Sequence, residues 1–166
     1  MLFLYSFLFI QLNHAHLRVH HHTVINSSTT IENVDLSNSQ CQSNERADGG
    51  AYFITSPAIS VNLTNCSFTS CFNQLNTYYS GGAVYITKID NTFISNCAFV
   101  NCTSYYGGAL GLTAVKSVII DACHFNQNKA AYQLIIETYG NGGAIFFNET
   151  SNCSLHVSNC IFDSNI

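Results

Sequence analysis

A recurring pattern of apolar positions runs along most of the chain. Two apolar residues lie two positions apart, the inward phase then shifts by one residue, and a Cys-x-Phe pair follows, as in Val61, Leu63, Cys66 and Phe68. Alternation with a period of two predicts a β-strand, and a phase shift at a fixed place predicts a bend or bulge. Each copy of the pattern therefore predicts two short strands that meet at a corner.

The pattern recurs in five frames that share five aligned slots. In chain order, the slots hold Val34, Leu36, Ser39, Cys41 and Asn44; Val61, Leu63, Cys66, Phe68 and Cys71; Thr92, Ile94, Cys97, Phe99 and Cys102; Val118, Ile120, Cys123, Phe125 and Asn128; and Leu155, Val157, Cys160, Phe162 and Asn165. A Gly-Gly-Ala triplet with a bulky follower occurs at 49–52, 81–84, 107–110 and 142–145. Each triplet predicts the start of another strand.

Variation in length is confined to the link between the last slot of a frame and the next Gly triplet. A constant core with inserts at one position is typical of a stacked repeat protein. Short strands without helical segments between them predict an all-β fold, a single-stranded parallel β-helix of about five coils. The last frame ends where the next triplet would be expected, so we expect an incomplete C-terminal end. We also expect self-association through an open coil edge.

Stacking predicts columns of equivalent residues, with Cys66, Cys97 and Cys123 above one another. Free Cys behaves as a small buried hydrophobe, so this column should lie in the core. Asn in the last slot suits a corner, where it can satisfy backbone groups and tolerate an unusual φ. Cys71 and Cys102 occupy that slot in neighbouring frames. Their Cα atoms should lie within disulfide range, and the oxidation state is left open.

Composition narrows the functional classes. Only 8% of the residues are charged and the net charge is -4, so there is no basic stripe for a phosphate backbone and nucleic-acid binding is not expected. We predict no cofactor. Six Asn-x-Ser/Thr sequons permit N-glycosylation in a secreted protein, although an Asn- and Ser-rich chain also produces them by chance. They are Asn26, Asn62, Asn65, Asn101, Asn148 and Asn152.

The N-terminal region differs from the repeats. Residues 1–15 contain a short apolar run that predicts a signal peptide or, alternatively, a buried first strand. Residues 16–33 are interpreted as a leader or cap, and residues 34–166 as the repeats. Four His at even spacing would share one face of a strand and could hold a transition metal. The alternative for His14, His16, His20 and His22 is a polar leader without a metal.

The Gly-Gly-Ala-[Ile/Leu/Val] and Phe-x-x-Asn motifs resemble the repeats of the chlamydial polymorphic outer membrane proteins and similar surface proteins of some protists. The first motif matches at 81–84, 107–110 and 142–145 and departs at Tyr52; the second matches at 125–128 and 162–165. Cys71 and Cys102 replace the family's Asn. The resemblance covers roughly 34–165 and implies a right-handed β-helix in a secreted or surface protein with an adhesive role. The autotransporter barrel of that family is absent from this sequence.

The sequence contains candidates for two kinds of site, a binding ridge and a catalytic site. Aromatic residues shortly before the Gly triplets would form a ridge that suits a glycan or protein partner, or would simply shield the bare Gly-Gly backbone. They are Tyr78, Tyr79, Tyr105, Tyr106, Tyr132 and Tyr139. The alternative function is a carbohydrate-active enzyme, because β-helices host lyases and glycosidases. Its acids and bases, Asp90, Asp121, Glu137, Glu149, Lys116 and Lys129, do not pair in neighbouring frames, so we predict no catalytic site.

Overall fold

A computed structural model of the chain describes residues 23–26, 28–37, 49–55, 60–73, 80–131, 141–148 and 152–166. Every regular element in these residues is a β-strand, and the strands form three parallel five-stranded sheets and one short two-stranded sheet. The predicted signal peptide and the His-rich segment lie outside the described residues. Within the described ranges there is no helix long and apolar enough to cross a membrane.

The sheets are numbered by the order in which the chain first enters them. The first sheet contains β1 (Thr23–Ile25), β4 (Tyr52–Thr55), β7 (Val84–Thr87), β11 (Leu110–Thr113) and β15 (Ile145–Asn148). The second contains β2 (Thr29–Glu32), β5 (Ser60–Thr64), β8 (Asn91–Ser95), β12 (Ser117–Asp121) and β16 (Ser154–Ser158). The third contains β3 (Asp35–Ser37), β6 (Ser67–Thr69), β9 (Ala98–Val100), β13 (His124–Asn126) and β17 (Ile161–Asp163). The short sheet pairs β10 (Thr103–Ser104) with β14 (Lys129–Ala130).

Successive frames pair with each other in all three sheets. We call one strand from each sheet, taken consecutively along the chain, a rung; the described residues contain five rungs. In the second sheet Val118 pairs with Thr92 on one side and with Leu155 on the other. The predicted all-β architecture of stacked parallel strands is therefore confirmed. The predicted corner is also confirmed, since each phase shift separates a strand of the second sheet from one of the third.

The structure corrects the predicted alignment of the first frame. Thr29, not Val34, pairs with Val61, and the amide of Ser67 donates to the carbonyl of Val34, which therefore lies beside Cys66. The predicted alignment was wrong because Val34 and Leu36 are two positions apart, like the residues of the first two slots. In the structure Ile31 and Val34 are instead the buried second and third residues of the frame. β1 and β2 thus lie in the segment predicted as a leader.

The core is a set of columns that run through the rungs. Phe68, Phe99 and Phe125 are fully buried, and their rings stack with centroids 5.1 and 4.9 Å apart. Phe162 continues the stack at 4.9 Å from Phe125 but is half exposed. Tyr52 packs edge-on against Phe68, and burial, together with nearby Cys66, raises the pKa of its hydroxyl to about 12. An aromatic column therefore runs through an uncharged core from the second rung to the fifth.

The corners are formed by residues other than glycine in the left-handed region. Asn65, Asn96, Ala122 and Asn159 have φ between 51 and 53°, each directly before the core Cys. A second column has φ between 52 and 55° directly before the last slot: Ser70, Asn101, Gln127 and Ser164. The unusual φ expected of the last-slot Asn thus belongs to its predecessor. Asn tolerates this conformation best among these residue types, which explains its frequency at the corners.

The two glycines of each triplet have different roles. The first has positive φ, as in Gly81 at 71°. The second lies against the backbone of other rungs: a Cβ on Gly82 would be 2.0 Å from the carbonyl oxygen of Gly108 and 2.6 Å from the amide of Thr103. A side chain cannot occupy that space without moving the backbone. The first glycine is therefore required by a left-handed backbone and the second by a close backbone approach.

Candidate functional site

The last-slot column consists of two thiols followed by two side-chain amides, those of Cys71, Cys102, Asn128 and Asn165. Asn128 donates from Nδ2 to the carbonyl of Phe99 at 2.9 Å and accepts at Oδ1 from the amide of Cys102 at 3.0 Å. Asn165 repeats both bonds one rung later, to the carbonyl of Phe125 at 2.9 Å and from the amide of Asn128 at 3.0 Å. Each last-slot Asn thus fastens its own rung to the preceding one.

Cys102 makes the equivalent contact with sulfur. Its Sγ donates to the carbonyl of Phe68 at 3.5 Å, as Asn128 does to Phe99. Cys71 and Cys102 are fully buried thiols, and a hydrogen bond between them, with burial, raises the pKa of Cys102 well above its ordinary value. The two thiols thus lie next to each other in successive rungs. The disulfide itself stays a prediction.

The core Cys column follows the same rule. Each Sγ donates to a carbonyl of the preceding rung; for Cys97 the acceptor is Leu63 at 3.6 Å, and for Cys123 it is Ile94 at 3.7 Å. The amide of Cys97 donates back to Sγ of Cys123 at 3.4 Å. The pKa of Cys97 is raised by hydrogen bonds with Cys123 and Cys66 and by burial. The same hydrogen bonds lower the pKa of Cys66 and of Cys123. The predicted column is confirmed, and its thiols are buried hydrogen-bonding groups.

The Tyr ridge is only partly within the described residues. Tyr78, Tyr79, Tyr132 and Tyr139 lie outside them. Tyr105 is buried and meets the ring of Tyr106 edge-on at 4.4 Å. Tyr106 is half-buried and stacks on Phe146 with centroids 4.7 Å apart. Of the two described residues, Tyr106 is therefore the one that contributes to an accessible surface.

Sequence reasoning missed an aromatic row on the outer face of the first sheet. Phe53, Tyr85, Gly111 and Phe146 are in register along four successive strands. Phe53 and Tyr85 stack with centroids 5.6 Å apart, while Phe146 is covered on one side by Tyr106. The signal was present, because three of the four triplets are followed two residues later by an aromatic residue. Tyr85, Tyr106 and Phe146 are half-buried and form what we call the aromatic face.

Asp90 and Asp121, the two described carboxylates of the candidate enzyme site, make structural contacts. The expectation that these acids and bases do not pair in neighbouring frames is wrong for Asp90, which forms an ion pair with Lys116 of the next rung at the surface, because Asn91 and Ser117 are in register. Asp121 accepts from Ser158 at 2.7 Å and from Asn159 at 2.8 Å, and these two hydrogen bonds hold the pKa of Asp121 below its ordinary value. Within the described ranges no group of three His, Cys, Asp or Glu side chains could hold a metal ion. Glu137, Glu149 and the four His of the proposed metal face lie outside those ranges.

The sequons are mostly at the surface. Asn62 is half-buried on β5, and the others are exposed, namely Asn26, Asn65, Asn101, Asn148 and Asn152. The side-chain amide of Asn65 donates to Oδ1 of Asn33 at 3.3 Å, and the side-chain amide of Asn101 donates to Oγ of Ser70 at 3.1 Å. A glycan on either Asn would therefore replace a contact between neighbouring corners. Use of the sequons stays a prediction.

The fifth rung presents an apolar face. Leu155 and Val157 are each 38% exposed and Phe162 is 50% exposed, although the equivalent residues of inner rungs are fully buried. Leu155 and Phe162 line an open groove of about 510 Å³ with Ile145 and Phe147. Ile31 and Val34 of the first rung are buried. The two ends of the stack thus differ, and the apolar end is at the fifth rung.

Comparison with protein-family models, curated proteins and solved structures finds no match.

Proposed function

We propose that the chain is a right-handed, single-stranded parallel β-helix of about five coils. In this proposal it serves as a non-catalytic adhesive or scaffolding element of a secreted or cell-surface protein, as the resemblance to polymorphic outer membrane proteins implies. The observation that carries the proposal is the residue-for-residue register of successive frames in three parallel sheets. A stack of rungs joined only to their neighbours is suited to a rigid spacer.

The uncharged columns support the scaffold part of the proposal. From the second rung to the fifth, each rung repeats the same Phe stack and the same kind of Cys or Asn contact with the preceding rung, so length can grow without a new core. The outer positions are free to vary because they do not pack in the core. A partner would therefore be recognised by outer side chains at a fixed spacing.

The aromatic face supports the adhesive part. Tyr85, Tyr106 and Phe146 offer half-buried rings whose positions are fixed by strand register and stacking. Aromatic rings next to polar neighbours such as Thr87 and Thr113 suit the apolar faces of sugars or a protein surface. We therefore propose a glycan or a protein at a surface as the partner.

Binding to glycan arrays and to cells tests this proposal. Tyr106→Ala and Phe146→Ala should each reduce the signal strongly while the circular dichroism spectrum stays unchanged. Phe93→Ala is the matched control, since Phe93 is 39% exposed on the outer face of the second sheet. Equal signal from wild type and all three variants would refute the aromatic face as the binding surface. Release of new reducing or unsaturated ends from pectin, alginate or host glycans would instead support an enzyme.

The apolar face of the fifth rung supports self-association of this chain as a further part of the proposal. Strand edges and apolar side chains together favour edge-to-edge pairing. Light scattering over a concentration series should show species larger than the monomer. Leu155→Lys should reduce their fraction, whereas Phe93→Lys, at a similarly exposed apolar residue on an outer face, should not. A wild-type chain that stays monomeric would contradict this part.

A further inference from the structure

The peptide between Asn141 and Gly142 differs from its counterparts in the other rungs. It is the single Asn-Gly pair of the sequence; the residues before the other triplets are Asp48, Ser80 and Tyr106. Asn141 and Gly142 are both exposed. An Asn followed by Gly is chemically vulnerable, because no side chain on the following residue shields its amide nitrogen from the Asn side chain.

Among the first glycines of the four triplets, Gly142 is the one whose amide donates to no carbonyl of the described residues. In the preceding rungs the first-glycine amide donates to the next rung: Gly81 to Tyr106 at 2.8 Å and Gly107 to Asn141 at 3.0 Å. Gly142 belongs to the fifth rung, and within the described part of the chain its amide donates to no carbonyl. A hydrogen-bonded amide must first break that bond to react, whereas the amide of Gly142 need not.

We propose that Asn141 is a site of spontaneous deamidation. The nitrogen of Gly142, after losing its proton to water or hydroxide, attacks Cγ of Asn141 and forms a five-membered imide. The side-chain nitrogen of Asn141 leaves as ammonia. One water molecule then opens the imide at either carbonyl, which gives aspartate or isoaspartate at position 141. No oxidation or reduction takes place.

The product alters the apolar end of the stack. It adds a negative charge beside Gly142 and Gly143, and the isoaspartate form adds one atom to the backbone. That extra atom falls just before β15, whose Ile145 pairs with Leu110. Pairing between β11 and β15 should therefore weaken, and amide hydrogen exchange across Ile145–Asn148 should become faster in the deamidated fraction.

The test is to incubate the folded chain at mildly alkaline pH and to follow position 141 by peptide mapping and enzymatic isoaspartate labelling. We expect label and the mass gain of an amide-to-acid exchange at Asn141 before any other Asn. Asn141→Ser, which copies the Ser80-Gly81 sequence, should remove the label. Gly142→Ala is not a usable control, because its Cβ would be 2.0 Å from the carbonyl oxygen of Ile145.

Tyr106→Asn separates the structural reason from the dipeptide itself. It creates a second Asn-Gly pair in which the glycine amide, that of Gly107, is already hydrogen-bonded to Asn141. The new pair should react about tenfold more slowly than Asn141 in the same folded molecule, because attack must await local opening, and the two rates should converge in urea. Equal rates in the folded state, or an unmodified Asn141, would overturn the inference.

Discussion

Replacing Cys102 with Asn tests whether a thiol and an amide are equivalent in the last-slot column. Cys102 donates to the carbonyl of Phe68 at 3.5 Å, and Asn128 donates to the corresponding carbonyl of Phe99 at 2.9 Å. An Asn at position 102 would reach the same carbonyl with a stronger donor. Its Oδ1 would also face the amide of Cys71, as Oδ1 of Asn128 faces the amide of Cys102.

The expected changes in the free energy of unfolding follow from these hydrogen bonds. A buried hydrogen bond contributes about 0.5–1.5 kcal/mol net, so Cys102→Asn should leave the free energy of unfolding unchanged or raise it by up to about 1 kcal/mol. Cys102→Ala leaves the buried carbonyl of Phe68 without this donor and should cost about 2 kcal/mol. The reverse change, Asn128→Cys, also loses the 2.9 Å bond from Nδ2 to Asn165 and should cost about 1 kcal/mol.

The assay is urea unfolding of the four proteins with dithiothreitol present, with the slope against urea as a check that the unfolded states are comparable. The reasoning is refuted if Cys102→Asn is destabilised as much as Cys102→Ala. A disulfide between Cys71 and Cys102 is detected by repeating the unfolding without dithiothreitol. If the disulfide forms, dithiothreitol lowers the stability of the wild type but not that of Cys102→Asn.

Three further predictions concern the stack. Phe99→Ala, in the middle of the Phe column, should cost about 3–5 kcal/mol in urea unfolding, and Phe162→Ala less than half as much because Phe162 is 50% exposed; equal costs would contradict the stacking argument. Gly82→Ala should prevent folding as judged by circular dichroism, whereas Gly143→Ala should be tolerated better, since the nearest atom to its Cβ, the amide nitrogen of Ile166, would be 2.7 Å away against 2.0 Å from the Gly82 Cβ to the carbonyl oxygen of Gly108; the reverse order would contradict the packing argument. The pKa of Asp121 is lowered in the folded state, so its contacts stabilise the fold above the pKa of the unfolded chain, and this contribution is lost as pH falls through the lowered folded value. The protection factors for amide exchange at Ser158 and Asn159, corrected for the intrinsic pH dependence of exchange, should therefore fall in acid, and in Asp121→Asn they should no longer change across that pH range.

Sequence reasoning succeeded where one residue type recurs at constant spacing. The Cys and Phe slots fixed the register of the second, third, fourth and fifth frames, because a slip of one residue would expose every core side chain of a strand. It failed in the first frame, where Val34 and Leu36 stand in the slots that Cys and Phe hold in the other four frames. With two substitutions, the apolar spacing alone fits more than one alignment.

The candidate site was less predictable for a physical reason. Whether an outer side chain is exposed depends on residues of the neighbouring rungs, which local periodicity does not encode. Tyr105 and Tyr106 are adjacent in sequence, yet one is buried and the other stacks on Phe146. The position of the left-handed residues was also predicted wrongly. The residues with positive φ come one position before the last-slot Asn for which an unusual φ was expected.

The structure changes what the sequons indicate about secretion. Three of them, at Asn65, Asn101 and Asn152, have the form Asn-Cys-Ser/Thr. In each the Asn has positive φ and a strand or strand entry follows the Cys; in the first two, that Cys is a fully packed core thiol. The fold itself favours Asn at the corner, Cys after it and Ser or Thr at the strand entry, so these triplets arise without any requirement for a glycan. Their number is therefore not evidence of glycosylation, and a shift in mass on glycosidase treatment of the natural protein is the observation that would decide the matter.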